Sequence, residues 1–331
     1  MNTKRFFGSD PEFFIYKDLV KTKFGEIPDI IPPASLIADM GVNFTVSNNN
    51  KRVLLDTDAY KWIEDGSALE LNFKTPIESS GSLNRLTNSA MSSVRDFLYK
   101  LDVNLKLSKN VLGYFDTKKY WEGRSKDFID CVRFGCDPDV FPKLYEISGF
   151  EEETCKIVDA SKHEYRYAGG HIHIQNMSKD SDIYLNNLEL APIVLDFLIG
   201  TTNIILERDK SIVVQEKARL KYYGRPGRVR LQKYSDKVNG IEYRPPSNQW
   251  IGNPYNINSI LESANIACNI IESGFAPKFF ETFKDKIYVM WDALTKHDKV
   301  IAKDLLSDSL VWLLDNNFTT LKELEGVYGT F

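Results

Sequence analysis

GSDPEFF (8–14) sets two acids, Asp10 and Glu12, on either side of a proline and against a run of aromatic residues. Its reading decides the fold. Within FFGSDPEFFIYKD (6–18) it reads as a strand entered through Gly-Ser-Asp-Pro and closed by a turn. Residues i and i+2 of a strand share a face, so Asp10 and Glu12 would stand side by side. The pattern recurs as Glu70 and Asn72 in ALELN (68–72), His171 and His173 in GGHIHI (169–174), and Glu242 and Arg244 in GIEYRPP (240–246). Strands of this kind laid together would present one face of acids, imidazoles and a guanidinium as a reaction floor.

Working outward, residues 28–50 are rich in Pro, Asn and Ser and read as loops around a short extended stretch. Residues 53–75 alternate apolar and polar, which predicts strands around a hairpin turn at Asp65-Gly66. From Ser80 to Leu101 the residues Leu83, Leu86, Ala90, Val94, Phe97, Leu98 and Leu101 recur at helical spacing. Residues 105–168 read as loops and short strands, with a second Asp-Pro in CDPD (136–139). NLELAPIVLDFLIGTTNIIL (187–206) predicts a buried helix, or two broken near Gly200. Residues 256–331 read as a run of helices, beginning with 256–273 and 277–294 and shortening toward the end. The break near Asn253-Pro254 divides a catalytic region, 1–253, from a helical C-terminal region, 254–331, packed on the same domain. There is no internal repeat.

The chain has 331 residues, 43% of them hydrophobic, which suffices for a sizeable core. Its net charge of −4 argues against a surface given over to nucleic acid, so any anion site must be local. The first residues hold no apolar run long enough for a signal peptide, and no stretch of about 18 apolar residues follows, so a soluble protein is expected. Cys131, Cys136, Cys155 and Cys268 form no CxxC pair, which fits a reduced, cytoplasmic setting. Cys131 and Cys136 could join the two histidines in a zinc site, but their spacing matches no common pattern.

Two of the four histidines fall on one strand face, where both can reach a divalent cation or a phosphate oxygen. Gly169-Gly170 before them would let a ligand approach the backbone. Glu12, Glu70 and Glu242 are each flanked by apolar residues, where an unpaired carboxylate is costly to bury and a metal ion would relieve the cost. Each could alternatively sit in a salt bridge. Carboxylates with an imidazole suit Mg²⁺ or Mn²⁺. Between the histidine and Glu-Arg segments lies a basic stretch with Arg219, Arg225, Arg228 and Arg230, including GRPGRVR (224–230). It could clamp a triphosphate, its glycines permitting close approach. Without aromatic stacking partners in a regular motif it gives little support to nucleic-acid binding. There is no Walker A pattern and no arrangement for a Ser/His/Asp triad, so ATP would need a different scaffold.

In order and content these motifs resemble the glutamine-synthetase-like carboxylate-amine ligases, and more closely the phage-type COOH-NH2 ligases (type 2) among the amidoligases. GSDPEFF is similar to the first metal-binding strand of that superfamily, GGHIHI to its His-x-His strand, and GIEYRPP to its late Glu-x-Arg strand. The resemblance spans about residues 6–250. It implies an α+β fold with a curved, mainly antiparallel β-sheet backed by helices, and two or three Mg²⁺ or Mn²⁺ ions between ATP and an acid substrate. It implies that Glu12, Glu70 and Asp65 hold the metal on the substrate side, and that Asp10, His171 and Glu242 hold the metal bridging the phosphates. His173 and Arg244 would contact the transferring phosphoryl group, and Arg219, Arg225, Arg228 and Arg230 would clamp the nucleotide. Asp10 departs from the glutamate commoner in glutamine synthetases, and the helical tail has no obvious counterpart.

The expectation is therefore an ATP-dependent ligase forming an amide or peptide bond through an acyl phosphate, with Glu64 and Asp65 both candidates to take the amine proton. Its carboxylate and amine substrates could come from cell-wall or protein-derived peptides. No nucleic acid or membrane partner is expected, and the setting is a cytoplasm, the host's if the chain is phage-encoded. Two other readings stay open: a metal-dependent hydrolase using the His-x-His strand, and a nucleotide- or peptide-binding module without chemistry.

Overall fold

Alternation of apolar and polar residues along short segments produces thirteen strands among the described residues of the computed structural model, which are 5–121, 162–176, 182–234 and 236–319. In chain order they are β1 (Arg5–Ser9), β2 (Glu12–Thr22), β3 (Gly25–Ile31), β4 (Thr45–Val46), β5 (Arg52–Asp56), β6 (Tyr60–Asp65) and β7 (Ala68–Phe73). They continue with β8 (Lys106–Ser108), β9 (Leu112–Tyr114), β10 (Tyr165–Tyr167), β11 (Ile172–Asn176), β12 (Val229–Gln232) and β13 (Gly240–Tyr243). The fold is α+β, and every strand pair but β3 with β9 is antiparallel.

A four-stranded sheet runs β1-β11-β13-β12, and a nine-stranded sheet runs β10-β9-β3-β2-β7-β6-β5-β4 with β8 also on β2. The chain passes from one sheet to the other at Asp10-Pro11. There Pro11 supplies no N–H, but its carbonyl accepts from Leu71 N at 3.0 Å, and Glu12 N donates to Gly169 O at 2.9 Å. The joint between sheets is thus hydrogen-bonded on both sides.

Register sorts the small sheet into two chemically different faces. Gly8, His173, Glu242 and Arg230 form one row across its four strands. The alternate positions, Ile172, Ile174, Ile241, Tyr243 and Val229, are fully buried. Burying each such side chain is worth about 1.5–3 kcal/mol, so a one-residue slip, which would exchange the faces, is strongly disfavoured.

Helices cover the apolar faces. Ser80–Leu101 starts as its sequence predicts, with Ser79 Oγ accepting from Ser82 N at 3.2 Å, and it buries Leu83, Ala90, Met91, Val94 and Leu98. Its Ala90 carbonyl accepts from Trp62 Nε1 at 3.3 Å. The 187–206 segment is helical from Ala191, with a π-turn at Asp196–Gly200 joining Ala191–Leu195 to Thr201–Leu206. So the chain is irregular near Gly200 without breaking there. Pro254–Glu272 follows, and then Ala276–Phe283, Ile287–Lys296 and Lys299–Asp315. A single buried cluster joins Phe13, Trp62 and Leu69 of the large sheet, Ile172 and Ile241 of the small one, and Ile257, Phe279 and Leu313 of the C-terminal helices.

Three local expectations are corrected: residues 6–18 are not one strand but β1 and β2 in different sheets, the single helix expected over 277–294 is two, Ala276–Phe283 and Ile287–Lys296, and a helix lies within 28–50. Pro33–Met40 is a helix inside the predicted loop, started by proline at its first turn and ended by Gly41 at φ 68°. The basic stretch is preceded by a helix, Lys210–Arg219, capped by Asp209, whose side chain accepts from Ser211 N at 2.8 Å. The last described helix, Lys299–Asp315, runs 17 residues. Cys131, Cys136, Cys155 and the CDPD segment lie outside the described residues, and Cys268 is buried and unbridged. No helix among the described residues is long and apolar enough to cross a membrane.

Candidate metal centre

The turn at Asp10-Pro11 hands two adjacent carboxylates to two different groups of ligands. Asp10 joins His171 and Glu242, and Glu12 joins Asp65 and Glu70; within each group one ligand atom per residue lies within 4.8 Å of the others. The i, i+2 spacing therefore brings the acids together but divides them between neighbouring sites.

In the first group His171 Nδ1 faces Asp10 Oδ1 at 3.0 Å and Glu242 Oε1 at 3.3 Å. Its other nitrogen hydrogen-bonds the Tyr223 hydroxyl, which fixes the ring with Nδ1 toward the carboxylates. Glu242 is buried, and Gln232 Nε2 donates to its Oε2 at 2.6 Å while Arg244 Nη1 donates to its Oε1. Arg230 Nη1 donates to Oε2 at 3.4 Å. Asp10 Oδ1 and His173 Nε2 are buried yet make no hydrogen bond of normal geometry among the described residues. An orphaned carboxylate oxygen beside an imidazole nitrogen suits a divalent cation, so the donor set fits such an ion. Burial opposes charge on Asp10, but the imidazoles of His171 and His173 hold it well below the ordinary carboxylate range. Burial likewise opposes charge on His173, and the Asp10 carboxylate overcomes it, raising the imidazole.

The second group is built across the β2-β7-β6 ladder. Glu12 lies opposite Glu70, and Asp65 closes the β6-β7 hairpin opposite Ala68, with Gly66 at φ 57° making the turn. Gly169 N donates to Glu12 Oε2 at 2.8 Å, and Asn72 Nδ2 donates to Glu70 Oε1 at 2.5 Å. Lys51 Nζ lies 2.7 Å from Asp65 Oδ1 and 3.2 Å from Glu70 Oε2. Burial first, and then the repulsion of Asp65, push Glu12 up to about 8 and Glu70 well above the ordinary range.

These shifts give a pH prediction for the metal-free protein. A carboxyl whose native pKa is raised binds its proton more tightly when folded, so its contribution to stability is full below the unfolded value of 4.5 and is lost as pH rises through the native value. With chelator present, the melting temperature is expected to fall from about pH 5 to pH 8. Divalent cation should flatten that fall, and calorimetry across the range reads both. A melting temperature that climbs in chelator would contradict the buried carboxyl pair.

Of the remaining residues read from the sequence, some are employed differently. Glu64 is on the face opposite Asp65 and is paired in a fork with Arg52, with Nη2 to Oε1 at 2.6 Å. That leaves Asp65 as the acid of the pair that reaches the site. Arg219 is buried, donating to the carbonyls of Pro245 at 2.7 Å and Pro246 at 3.1 Å, with its guanidinium over the Tyr223 ring at 4.8 Å. Arg225 donates to the Leu220 and Lys221 carbonyls at 3.1 and 3.3 Å, at the end of the 210–219 helix. In this structure both guanidiniums are engaged with backbone carbonyls. Arg228 backbone pairs with Arg244 N at 3.1 Å, which places it beside the polar face with Arg230. Arg244 is fully buried on Glu242, whereas the Arg230 side chain is 31% exposed and is the more accessible guanidinium.

The glycines are also used internally. A Cβ on Gly170 would lie 2.4 Å from Ser247 O, and one on Gly169 would lie 2.8 Å from the Tyr223 hydroxyl. A Cβ on Gly224 would meet Arg219, and Gly227 N donates to Asp196 Oδ2 at 2.7 Å. The close approach is protein to protein, not backbone to ligand as expected. Asp196 also accepts from Tyr243 OH at 2.7 Å, so the π-turn braces the strands that carry Arg230 and Glu242. Sequence reasoning missed Lys51, Tyr223, Gln232 and Asp196. None carries a local signal, because each is matched to its partner by a contact distant in the chain.

No protein-family model matches the chain, and no curated protein matches it.

Proposed function

We propose that the chain is an ATP-dependent carboxylate-amine ligase that joins a carboxylate to an amine through an acyl phosphate. The observation that carries this reading is the pair of adjoining ligand groups, Asp10–His171–Glu242 and Glu12–Asp65–Glu70, set at the joint of two antiparallel sheets. A ligase that activates an acid with ATP must hold a polyphosphate next to a second, less charged substrate, and two adjacent cation sites of unequal character meet that demand. The order of motifs supports the same reading. A divalent ion held by each group would neutralise phosphoryl charge when bound.

In this reading the substrate carboxylate oxygen attacks the γ-phosphorus of ATP and the bond to the β-phosphate bridging oxygen breaks, releasing ADP. The amine nitrogen then attacks the acyl carbon, and inorganic phosphate leaves as the amide forms. Arg230 and His173 stand on the polar face where the transferring phosphoryl charge would need donors. Arg244 acts through Glu242, fixing its orientation by a buried charge-assisted bond. With Glu64 paired to Arg52, Asp65 is the acid that would accept the amine proton.

The test is isothermal titration of the protein with a non-hydrolysable ATP analogue, with Mg²⁺ present and then with chelator. Binding that requires the metal is expected, and it would justify screening acid and amine pairs for ADP release. Absence of binding under both conditions would overturn the ligase reading in favour of a metal-dependent hydrolase.

A further inference from the structure

One cation of this chain already sits where the second metal ion would be held. Lys51 Nζ is 2.7 Å from Asp65 Oδ1 and 3.2 Å from Glu70 Oε2. Those oxygens belong to two of the three carboxylates that converge there, the third being Glu12. An ammonium and a divalent ion held by the same two oxygens repel one another, and the burial of Glu12 and Glu70 beside them weakens screening. The two occupants are alternatives.

Lys51 is placed to leave. It ends the turn between β4 and β5, where Ser47 N donates to Lys51 O at 2.9 Å, Lys51 N donates to Ser47 Oγ at 3.1 Å, and Asn50 adopts φ 59°. The turn fixes its backbone, while its side chain is 37% exposed and has a long flexible stem. The neighbouring Arg52 is committed to Glu64 on the other face, so that pair stays in place when Lys51 withdraws. The first group is different: the basic side chains that reach its Glu242, Arg230 and Arg244, come from within the small sheet and its continuation, and His171 faces it as a ligand. No lysine within ion-pair distance is described there.

We infer that Lys51 is a built-in counter-ion of the Glu12–Asp65–Glu70 site, displaced when a divalent cation enters, so that this site fills only after and more weakly than the Asp10–His171–Glu242 site. The inference rests on the reading of both groups as metal sites and adds an order of loading to it. Lys51 thereby keeps three converging carboxylates tolerable in the empty protein and makes the second ion, the one on the substrate side, the one whose occupancy responds to cation concentration.

The experiment is calorimetric titration of Mn²⁺ alone into the purified protein, its Lys51→Met and Lys51→Arg variants, and the double variant Lys51→Met with Glu70→Gln. Methionine keeps the length of the stem and removes the competitor. Two binding steps of unequal affinity are expected in the wild type, and Lys51→Met should tighten the weaker step by about tenfold or more. Lys51→Arg should leave the weaker step weak, and the double variant should lose it. Two steps that Lys51→Met leaves unchanged or weakens would overturn the Lys51 inference while the metal reading stands. No Mn²⁺ binding in any of the proteins would overturn both.

Discussion

If the proposed ligase function holds, Glu12→Gln and His171→Ala are each expected to lower ATP turnover by about 10³-fold while leaving the fold intact. The two act on different groups of ligands. Glu12→Gln removes one carboxylate charge from the substrate-side group, but the amide oxygen can still accept from Gly169 N, the bond that ties β2 to the 169–170 loop. His171→Ala removes the imidazole between Asp10 and Glu242 and leaves two buried acids without the group that separates them. Tyr223 loses its partner as well. ADP release measured alongside near-ultraviolet circular dichroism separates lost chemistry from lost structure. Retained turnover in both variants would remove these residues from the site.

The second large effect concerns stability and lies away from the chemistry. Arg5 on β1 forks onto Glu272 near the end of the 254–272 helix, with Nη2 to Oε2 at 2.6 Å and Nε to Oε1 at 3.0 Å. It also donates to Asn265 Oδ1 at 2.7 Å, and Tyr184 OH donates to Glu272 Oε1 at 2.7 Å. The two charged side chains are 3% and 6% exposed. Arg5→Ala would leave Glu272 as a buried, uncompensated carboxylate and is expected to cost about 3–5 kcal/mol. For a chain of this size that lowers the melting temperature by roughly 4–7 °C. Replacing both partners with apolar residues, Arg5→Met with Glu272→Leu, should recover most of the loss, because neither charge then needs solvation. Urea unfolding of the wild type and these two variants gives the comparison. A loss under about 1 kcal/mol for Arg5→Ala would mean that the pair is solvated in solution.

This anchor ties the C-terminal helices to the strand that leads directly into Asp10. The helical region after Asn253 shares the buried cluster of both sheets, so it supports the floor on which the ligands stand. Its place in the molecule could not be read from helical periodicity, which shows that an apolar stripe exists but not what covers it.

The strand readings were legible because a period of two is a strictly local property. ALELN, GGHIHI and GIEYRPP each placed their polar residues together on or beside one strand before any partner strand was known, whereas GSDPEFF was misread as one strand, because the chain changes sheets at Asp10-Pro11. The Ser80–Leu101 helix was legible for the same reason, through its 3.6-residue spacing and its serine cap. The short helix Pro33–Met40 was hidden by the proline and polar content around it, since proline at a first helical position looks locally like a loop residue.

The sequence by itself determined which residues would be polar on which strand faces, and the chemistry those types favour: acids and imidazoles for a divalent cation, guanidiniums for an anion. Only the tertiary structure decided how they are shared out. The register of β6 on β7 sent Asp65 to the site and Glu64 to Arg52; the turn at Pro11 split Asp10 from Glu12; and backbone carbonyls claimed Arg219 and Arg225. The physical reason is one of range. Which face a side chain takes follows from the few bonds beside it, whereas its partner is whichever group the closing of long loops brings within about 3 Å, and no local pattern encodes that distance.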